Sequence, residues 1–348
     1  MSDSVVLFFM LDCLELSNAM DNSGMLIDRF GRKIDYLRLS LIDKCDLRCS
    51  YCIPKGFKEF ERPANWLSFD EIVRVVAAFA RMGTRRFRLT GGEPLLRKDL
   101  PELVARLSAL EGVQDLSMST NGTQLKKYAQ PLRDAGLHRL NVSLDSLRRE
   151  CVEEISGSDS LSKVMAGLEA ARQAGFTRIK INMVPLAGIN ISDIEDMIQY
   201  CIQNQFVLRL IEVMPMGVTG QKQVPVDLQD IIEQVKDKFG LQESNKVWGG
   251  GPARYWETPN SDFTLGFITP KSQHFCETCN RVRLAVDGHL YLCLGQENKL
   301  NLLPYLRDNC TDVELEQAIR EAIELKPERH EFNTQPEKII RIMSMTGG

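Results

Sequence analysis

Six of the ten cysteines in this 348-residue chain fall into two groups of three. The first is Cys45-Asp-Leu-Arg-Cys49-Ser-Tyr-Cys52, spaced C-x3-C-x2-C; the second is Cys276-x2-Cys279-x13-Cys293. A structural zinc site takes four ligands, and an iron–sulfur cube normally takes four thiolates. Three thiolates leave one iron with an open coordination position, and an open position on a metal is where a substrate binds. The first group sits in a loop after a β-like run, and its spacing favours a [4Fe–4S] cluster over zinc with a distant fourth ligand. For the second group the plainer alternative is a zinc knuckle completed by Cys310 or His274. If it is a cluster, it too has an open iron. Arg281 and Arg283 lie between its ligands and share one face of a β-like run. Two guanidiniums side by side suit phosphate oxygens; either arginine alone would read as part of a solvated face.

The elements that must position these groups alternate. Short β-rich runs occur at Tyr36–Ile42, Phe87–Thr90, Leu116–Thr120, Arg139–Leu144, Arg178–Val184 and Val207–Met214. Amphipathic stretches lie between them, at Phe69–Met82, Leu100–Leu110, Ser160–Ala174 and Ser192–Gln203. Ser68 and Ser192 are the expected N-caps, and Gly83, Gly136 and Gly175 the expected helix stops. Strand alternating with helix six times implies an α/β fold with a parallel sheet and helices on its faces. Ligands of such folds collect at the carboxyl ends of the strands. The cysteine loop, Gly91-Gly92-Glu93-Pro94, Thr120-Asn121-Gly122, Asp145 and Met214-Pro215 all fall at those ends. After about Gly217 the pattern changes to a helix, Leu228–Phe239, then a glycine run and β-like segments. Arg281–Leu294 reads as a hairpin turning at Asp287-Gly288 in a type I′ turn.

Bulk properties exclude several classes. Apolar residues make up 43% and charged residues 26%, ordinary for a globular protein. The net charge of −4 gives no general pull toward nucleic acid or membrane, so an anionic ligand needs a local basic cluster. The apolar run Val5–Leu11 is too short to span a bilayer and has no basic flank. Residues 1–24 are expected to be a poorly ordered extension, with Met20 or Met25 a conceivable start. Clustered cysteines point to a reducing compartment, hence a cytoplasmic protein. No G-x4-G-K-[ST], HExxH or GxSxG is present, which argues against a P-loop and against ordinary hydrolysis. Cys13, Cys151, Cys201 and Cys310 are expected to be buried structural thiols.

CDLRCSYC resembles the signature of the radical S-adenosylmethionine (SAM) enzymes. That resemblance implies that SAM takes the open iron and is cleaved to a 5′-deoxyadenosyl radical. Further segments occur in order: LRLSLIDKCDLRCSYC, RLTGGEPLLR, STNG, LNVSLDSL, KINMV, EVMPMG, GPARYW, FCETCNRVRL, GHLYLCL and a terminal MTGG. Together, from Leu26 to Gly348, they resemble the GTP 3′,8-cyclases, radical SAM lyases of the first step in molybdenum cofactor biosynthesis. The resemblance implies an incomplete (β/α)6 radical-SAM barrel at 25–217, closed by a C-terminal cap at 218–348 that carries a second Fe–S cluster. It implies two [4Fe–4S] clusters, on Cys45, Cys49 and Cys52 and on Cys276, Cys279 and Cys293. Tyr51, Gly92, Ser143 and Met214 would contact SAM. Arg38, Arg88, Ser119, Lys180, Arg281 and Arg283 would contact GTP, with Ser119 standing where a threonine is usual. Gly347 and Gly348, with Arg281 and Arg283, would serve catalysis, the twin-glycine tail reaching into the barrel. A flavodoxin- or ferredoxin-type electron donor and a homodimer are implied, and the product would pass to cyclic pyranopterin monophosphate synthase. Two alternatives stay open: a radical SAM enzyme with an auxiliary cluster that modifies a peptide, and a zinc- or cluster-bearing structural or sensing protein.

Overall fold

The computed structural model describes residues 24–246, 249–259 and 262–347. The expected extension up to residue 23, Cys13 and Gly348 lie outside the described residues.

Six parallel strands run in sequence order: β1 (Tyr36–Ser40), β2 (Arg86–Thr90), β3 (Asp115–Thr120), β4 (Arg139–Ser143), β5 (Ile179–Met183) and β6 (Val207–Ile211). The later chain adds to both edges of the same sheet. Beyond β6 lie β7 (Gln242–Glu243), β8 (Arg254–Glu257) and β9 (Thr264–Ile268), with β9 parallel to β6. Beyond β1 lie β10 (Arg281–Leu284), β11 (His289–Tyr291) and β12 (Lys299–Asn301), with β10 parallel to β1. The sheet has twelve strands and does not close on itself.

The strands alternate sharply. Leu37, Leu39, Phe87, Leu89, Leu116, Met118, Leu140, Val142, Ile179, Ile181, Leu208 and Leu210 are buried in the apolar core. That face lies under helices such as α1 (Phe69–Arg81), which turns Ile72, Val75, Val76 and Phe79 inward. The opposite face carries Arg38, Arg88, Ser117, Ser119, Asn141, Lys180, Asn182 and Arg209. Parallel strands buried on both faces normally read as continuous apolar runs. Here the concave face is polar, so it encloses a chamber rather than a second core.

Most expected boundaries hold within a few residues. Ser68 caps α1 in a full capping box with Glu71. Gly83, Gly136 and Gly175 have φ of 89°, 94° and 82°, the left-handed conformation that ends a helix. Ser192 is not a cap. It sits inside a short 3-10 turn, Ile191–Asp193, and bonds Asp193 while α2 (Ile194–Asn204) starts two residues later. The 281–294 turn is not type I′ either. Only Gly288 has a positive φ, and Gly288 N–H closes onto the Ala285 carbonyl at 3.1 Å. Asp287 instead accepts from His289 N at 3.2 Å, a side-chain turn that needs no left-handed aspartate. β1 ends at Ser40 rather than Ile42, because Leu41 and Ile42 swing across to bond the end of β2. Cys151 and Cys201 are buried, whereas Cys310 is partly exposed. Among the described residues no helix is long and apolar enough to cross a membrane.

Candidate active site

The three strand-end motifs are locked to one another. Gly91 and Gly92 press against the chain just ahead of the first cysteine group. A Cβ on Gly92 would lie 2.2 Å from the Lys44 carbonyl oxygen, and one on Gly91 2.2 Å from that of Ile42. The close approach lets Gly92 N–H and Glu93 N–H bond Ile42 and Lys44 at 2.6 and 2.9 Å. Glu93, fully buried, accepts from Thr120 Oγ1 at 2.7 Å, Asn121 N at 2.6 Å and Leu95 N at 3.0 Å. Asn121 then reaches back to Asp46 at 2.7 Å and to Cys45 Sγ at 3.6 Å. On the other side Arg48 N and Ser50 N bond the carbonyls of Ser156 and Ile155. The cysteine loop is therefore held from two directions. Gly92→Ala cannot be accommodated by a rotamer change, since the obstacle is backbone. It should lower iron retention at this loop in anaerobically reconstituted protein; a full iron complement would count against the interlock.

Tyr51, Ser143 and Cys49 line one pocket beside Asp145. Tyr51 OH donates to Asp145 at 2.8 Å, and Val184 N donates to the other carboxylate oxygen at 2.8 Å. Burial pushes the Asp145 carboxyl up to about 6 and that of Glu93 up to about 7. Burial also pushes the Cys45 and Cys52 thiols up to about 12, and that of Cys49 well above its ordinary value. Such thiols are poor nucleophiles by themselves, but a metal displaces their protons. Sulfur acceptors are already partnered by N–H donors: Leu47 N to Cys45 at 3.4 Å, and Ser344 N to Cys52. Among the described residues no three His, Cys, Asp or Glu side chains converge as ligands of one ion would. Three thiols on one loop are the donor chemistry that an iron–sulfur cluster takes.

The second cysteine group lies at the other end of the sheet. Cys276 opens a 3-10 turn, Cys279 closes it, and Cys293 follows β11. Cys310 sits elsewhere, against Pro304 and the backbone held by Arg74, and does not complete a zinc site. All three cysteines line one cavity with Tyr36, Arg38, Arg88, Arg209, Arg281 and Arg283. Among the described residues five guanidiniums and no carboxylate side chain line it. Register sets three of them abreast: Arg283 on β10 pairs with Arg38 on β1, which pairs with Arg88 on β2. Burial, then Arg283 and Arg88, holds Arg38 well below the ordinary arginine value. Arg283 is lowered to about 9, first by burial and then by Arg281. Arg38 Nε and Tyr36 OH are buried without a partner. These groups are arranged for an anion.

Met214 lines this cavity as well. Ser119 does not, though its strand position faces the same chamber and its hydroxyl is buried without a partner. Lys180 opens instead on an adjoining cleft with Asp115 and Arg139. It is not an exposed strand residue: it is 2% exposed, with Nζ 3.3 Å from Tyr255 OH. Burial, then Arg209 and Arg139, lowers Lys180 to about 5. The unfolded chain therefore binds a proton there that the folded chain lacks, and this group's contribution to stability rises with pH from about 5 toward 10. Lys180→Met should stabilise the ligand-free protein at pH 7 and flatten that rise; thermal melts across the range would test it.

Gly347 reaches the chamber. Its carbonyl accepts from the Arg283 guanidinium, and a Cβ there would lie 1.8 Å from Thr90 Oγ1. Three polar groups of the site, buried or half-buried, were not singled out as site residues: Glu93, Asp145 and Arg209. The first two stand within the quoted GGEP and LDSL motifs. Arg209 is a lone arginine in an apolar strand, bonded to Asn182 at 2.9 Å and Asn141 at 2.8 Å. Its signal was the periodicity of VLRLI.

Comparison with known proteins decides among the readings. Residues 39–201 match the Radical SAM superfamily, and residues 206–332 match Molybdenum Cofactor Synthesis C. The GTP 3′,8-cyclase of Pseudomonas putida (strain W619) is 45% identical over 333 residues, 94% of this chain and 99% of the relative. The chain belongs to the GTP 3′,8-cyclase family. A GTP 3′,8-cyclase of Marinobacter nauticus is 43% identical over 93% of this chain and 98% of its own, and GTP 3′,8-cyclase 2 of Pseudomonas aeruginosa 43% over 94% and 100%. Among solved structures, Streptococcus suis SuiB bound to S-adenosylmethionine superposes with a TM-score of 0.59 at 16% identity, over 86% of this chain and 72% of that one. That likeness shows the radical SAM fold. As a radical SAM member of the GTP 3′,8-cyclase family the chain is an enzyme, with a [4Fe–4S] cluster and SAM as its cofactors.

Proposed function

We propose that this enzyme converts GTP to 3′,8-cyclo-7,8-dihydro-GTP, the first step of molybdenum cofactor biosynthesis. The observation that carries the reading is the cavity in which, among the described residues, five guanidiniums and no carboxylate side chain meet the second cysteine triad. A weakly acidic chain could not otherwise attract a triphosphate, and arginine forks suit its oxygens. Residues 25–217 are read as the part that holds SAM, and 218–348 as the part that presents the substrate.

Cys45, Cys49 and Cys52 hold the first cluster, with Tyr51, Gly92, Ser143 and Met214 placed to contact SAM. The cluster and SAM, when bound there, would supply a 5′-deoxyadenosyl radical to take the hydrogen from C3′ of the ribose. The substrate's C3′ radical then closes on C8 of its own guanine, and an electron and a proton complete the product. Cys276, Cys279 and Cys293 would hold a second [4Fe–4S] cluster, which would supply a coordination position for the guanine. Arg38, Arg88, Arg281 and Arg283 neutralise the triphosphate, and Ser119 and Lys180 behind them are further GTP contacts. The residues' contribution is positional: they fix C3′ near the radical and exclude water and other hydrogen donors. Gly347 closes the chamber beside Arg283, and Gly348 is read with it as serving catalysis. A flavodoxin- or ferredoxin-type donor supplies electrons, the protein works as a homodimer in the cytoplasm, and cyclic pyranopterin monophosphate synthase takes the product. The three relatives named above, which span nearly the whole chain, are GTP 3′,8-cyclases and favour this reading over the peptide-modifying alternative.

The test is anaerobic. Reconstituted protein, dithionite and SAM are mixed with and without GTP, and 5′-deoxyadenosine and cyclised GTP are quantified by mass spectrometry. Matched formation of both, dependent on GTP, is expected. Deoxyadenosine without GTP consumption would discard the substrate.

A further inference from the structure

The two cysteine triads sit in opposite electrostatic surroundings. Around the first are carboxylates: Asp46 lies 3.8 Å from Cys45 Sγ, and Asp145 lines one pocket with Cys49. Around the second the buried charges are cations, while Glu277, next to Cys276, is exposed. Lys326, which follows the helix Asp312–Glu324, is 1% exposed. Its Nζ lies 3.7 Å from Cys279 Sγ and donates to the Leu292 carbonyl at 2.6 Å. Among the described residues no carboxylate forms an ion pair with it. A buried charge is costly unless paired, and the anionic groups within its reach are the sulfurs of this triad. The backbone around it is fixed deliberately: Arg32, itself buried and paired with Asp28 at 2.6 Å, bonds the carbonyls of Pro327, Glu328 and Cys276.

We infer that Lys326 is the positioning counter-charge of the second cluster, holding that cluster's reduction potential above the first's by stabilising its more negative, reduced form. This rests on the reading that Cys276, Cys279 and Cys293 hold a cluster. Adding one electron adds one negative charge, and a fixed ammonium in a low-dielectric pocket favours that state. The consequence is a division of labour. The first cluster, among carboxylates, stays the stronger reductant, as SAM cleavage requires; the second stays a site for substrate and does not compete to reduce SAM.

The experiment uses the full chain with Cys45, Cys49 and Cys52 replaced by alanine, so that only the second cluster is seen. Iron is counted, and the cluster's midpoint is read by EPR in an anaerobic dithionite titration with mediators. Lys326→Met should lower the midpoint by about 59 mV or more, a tenfold change in a one-electron equilibrium. Lys326→Arg should restore it. An unchanged midpoint in Lys326→Met with iron retained overturns the inference. Iron lost from Lys326→Met but kept in Lys326→Arg supports the counter-charge; iron lost from both overturns it in favour of packing. Should the methionine chain not fold, Lys326→Gln takes its place under the same criteria. No iron in the parent with Lys326 intact would instead defeat the second-cluster reading on which the inference stands.

Discussion

Gly347→Ala should cut GTP turnover on the order of 100-fold while leaving the iron content unchanged. Gly347 has φ of +74°, and a Cβ there would meet Thr90 Oγ1 at 1.8 Å and Thr90 Cβ at 2.6 Å. Thr90 cannot give way easily. It is 1% exposed at the end of β2, and its hydroxyl bonds the Leu39 carbonyl at 3.3 Å. The tail must therefore leave its seat. The helix that precedes it, Met343–Thr346, has four residues and cannot persist without that seat. Three contacts go with it: the carbonyl of Gly347 on Arg283, the backbone N–H of Ser344 on Cys52, and the buried packing of Thr346. One short segment thus touches a ligand of the first cluster and an arginine of the anion chamber. Its loss would misplace both reacting partners without removing a cysteine. Product by mass spectrometry and iron by colorimetry decide the matter. Turnover within a factor of about two of the parent would mean that the tail is a passive end.

Much of this was legible in the sequence. The six strands and the helices between them are fixed by apolar periodicity, and the motifs at strand ends follow from the α/β rule. The two cysteine triads are legible because their spacing is chemical. What could not be read is long-range pairing. Arg281–Leu284 looks like half of an isolated hairpin, yet it adds to the core sheet as the parallel neighbour of β1, and that pairing sets Arg283 beside Arg38. Nothing local in RVRL announces a partner more than 240 positions away. Lys326 was invisible for the same reason, since a lysine after a helix normally faces solvent. Lys180 misled in its plain reading because burial is a tertiary property. The type I′ turn failed because Asp287 could satisfy His289 with its side chain and leave its backbone unstrained.

Arg38→Met should stabilise the ligand-free protein while crippling the enzyme. Arg38 stands between Arg283 and Arg88 across three adjacent strands. Neighbouring strands lie about 4.8 Å apart, so like charges at matched positions repel. Burial and that repulsion already hold Arg38 well below its usual value, and its Nε has no partner. Methionine keeps much of the aliphatic stem and removes the charge. The ligand-free chain should gain on the order of 1 kcal/mol, read as a higher melting temperature. The same change removes a charged donor from the chamber, and losing one member of a desolvated charge contact costs roughly 2–5 kcal/mol. The ratio kcat/KM for GTP should therefore fall at least about 30-fold. GTP should also raise the melting temperature of the parent more than that of the variant, because ligand binding stabilises in proportion to affinity. The opposite signs are the point of the measurement. A merely structural arginine would lower the melting temperature when removed and leave the GTP-induced shift alone. A gain in stability with loss of that shift means the folded chain carries repulsion that the triphosphate relieves.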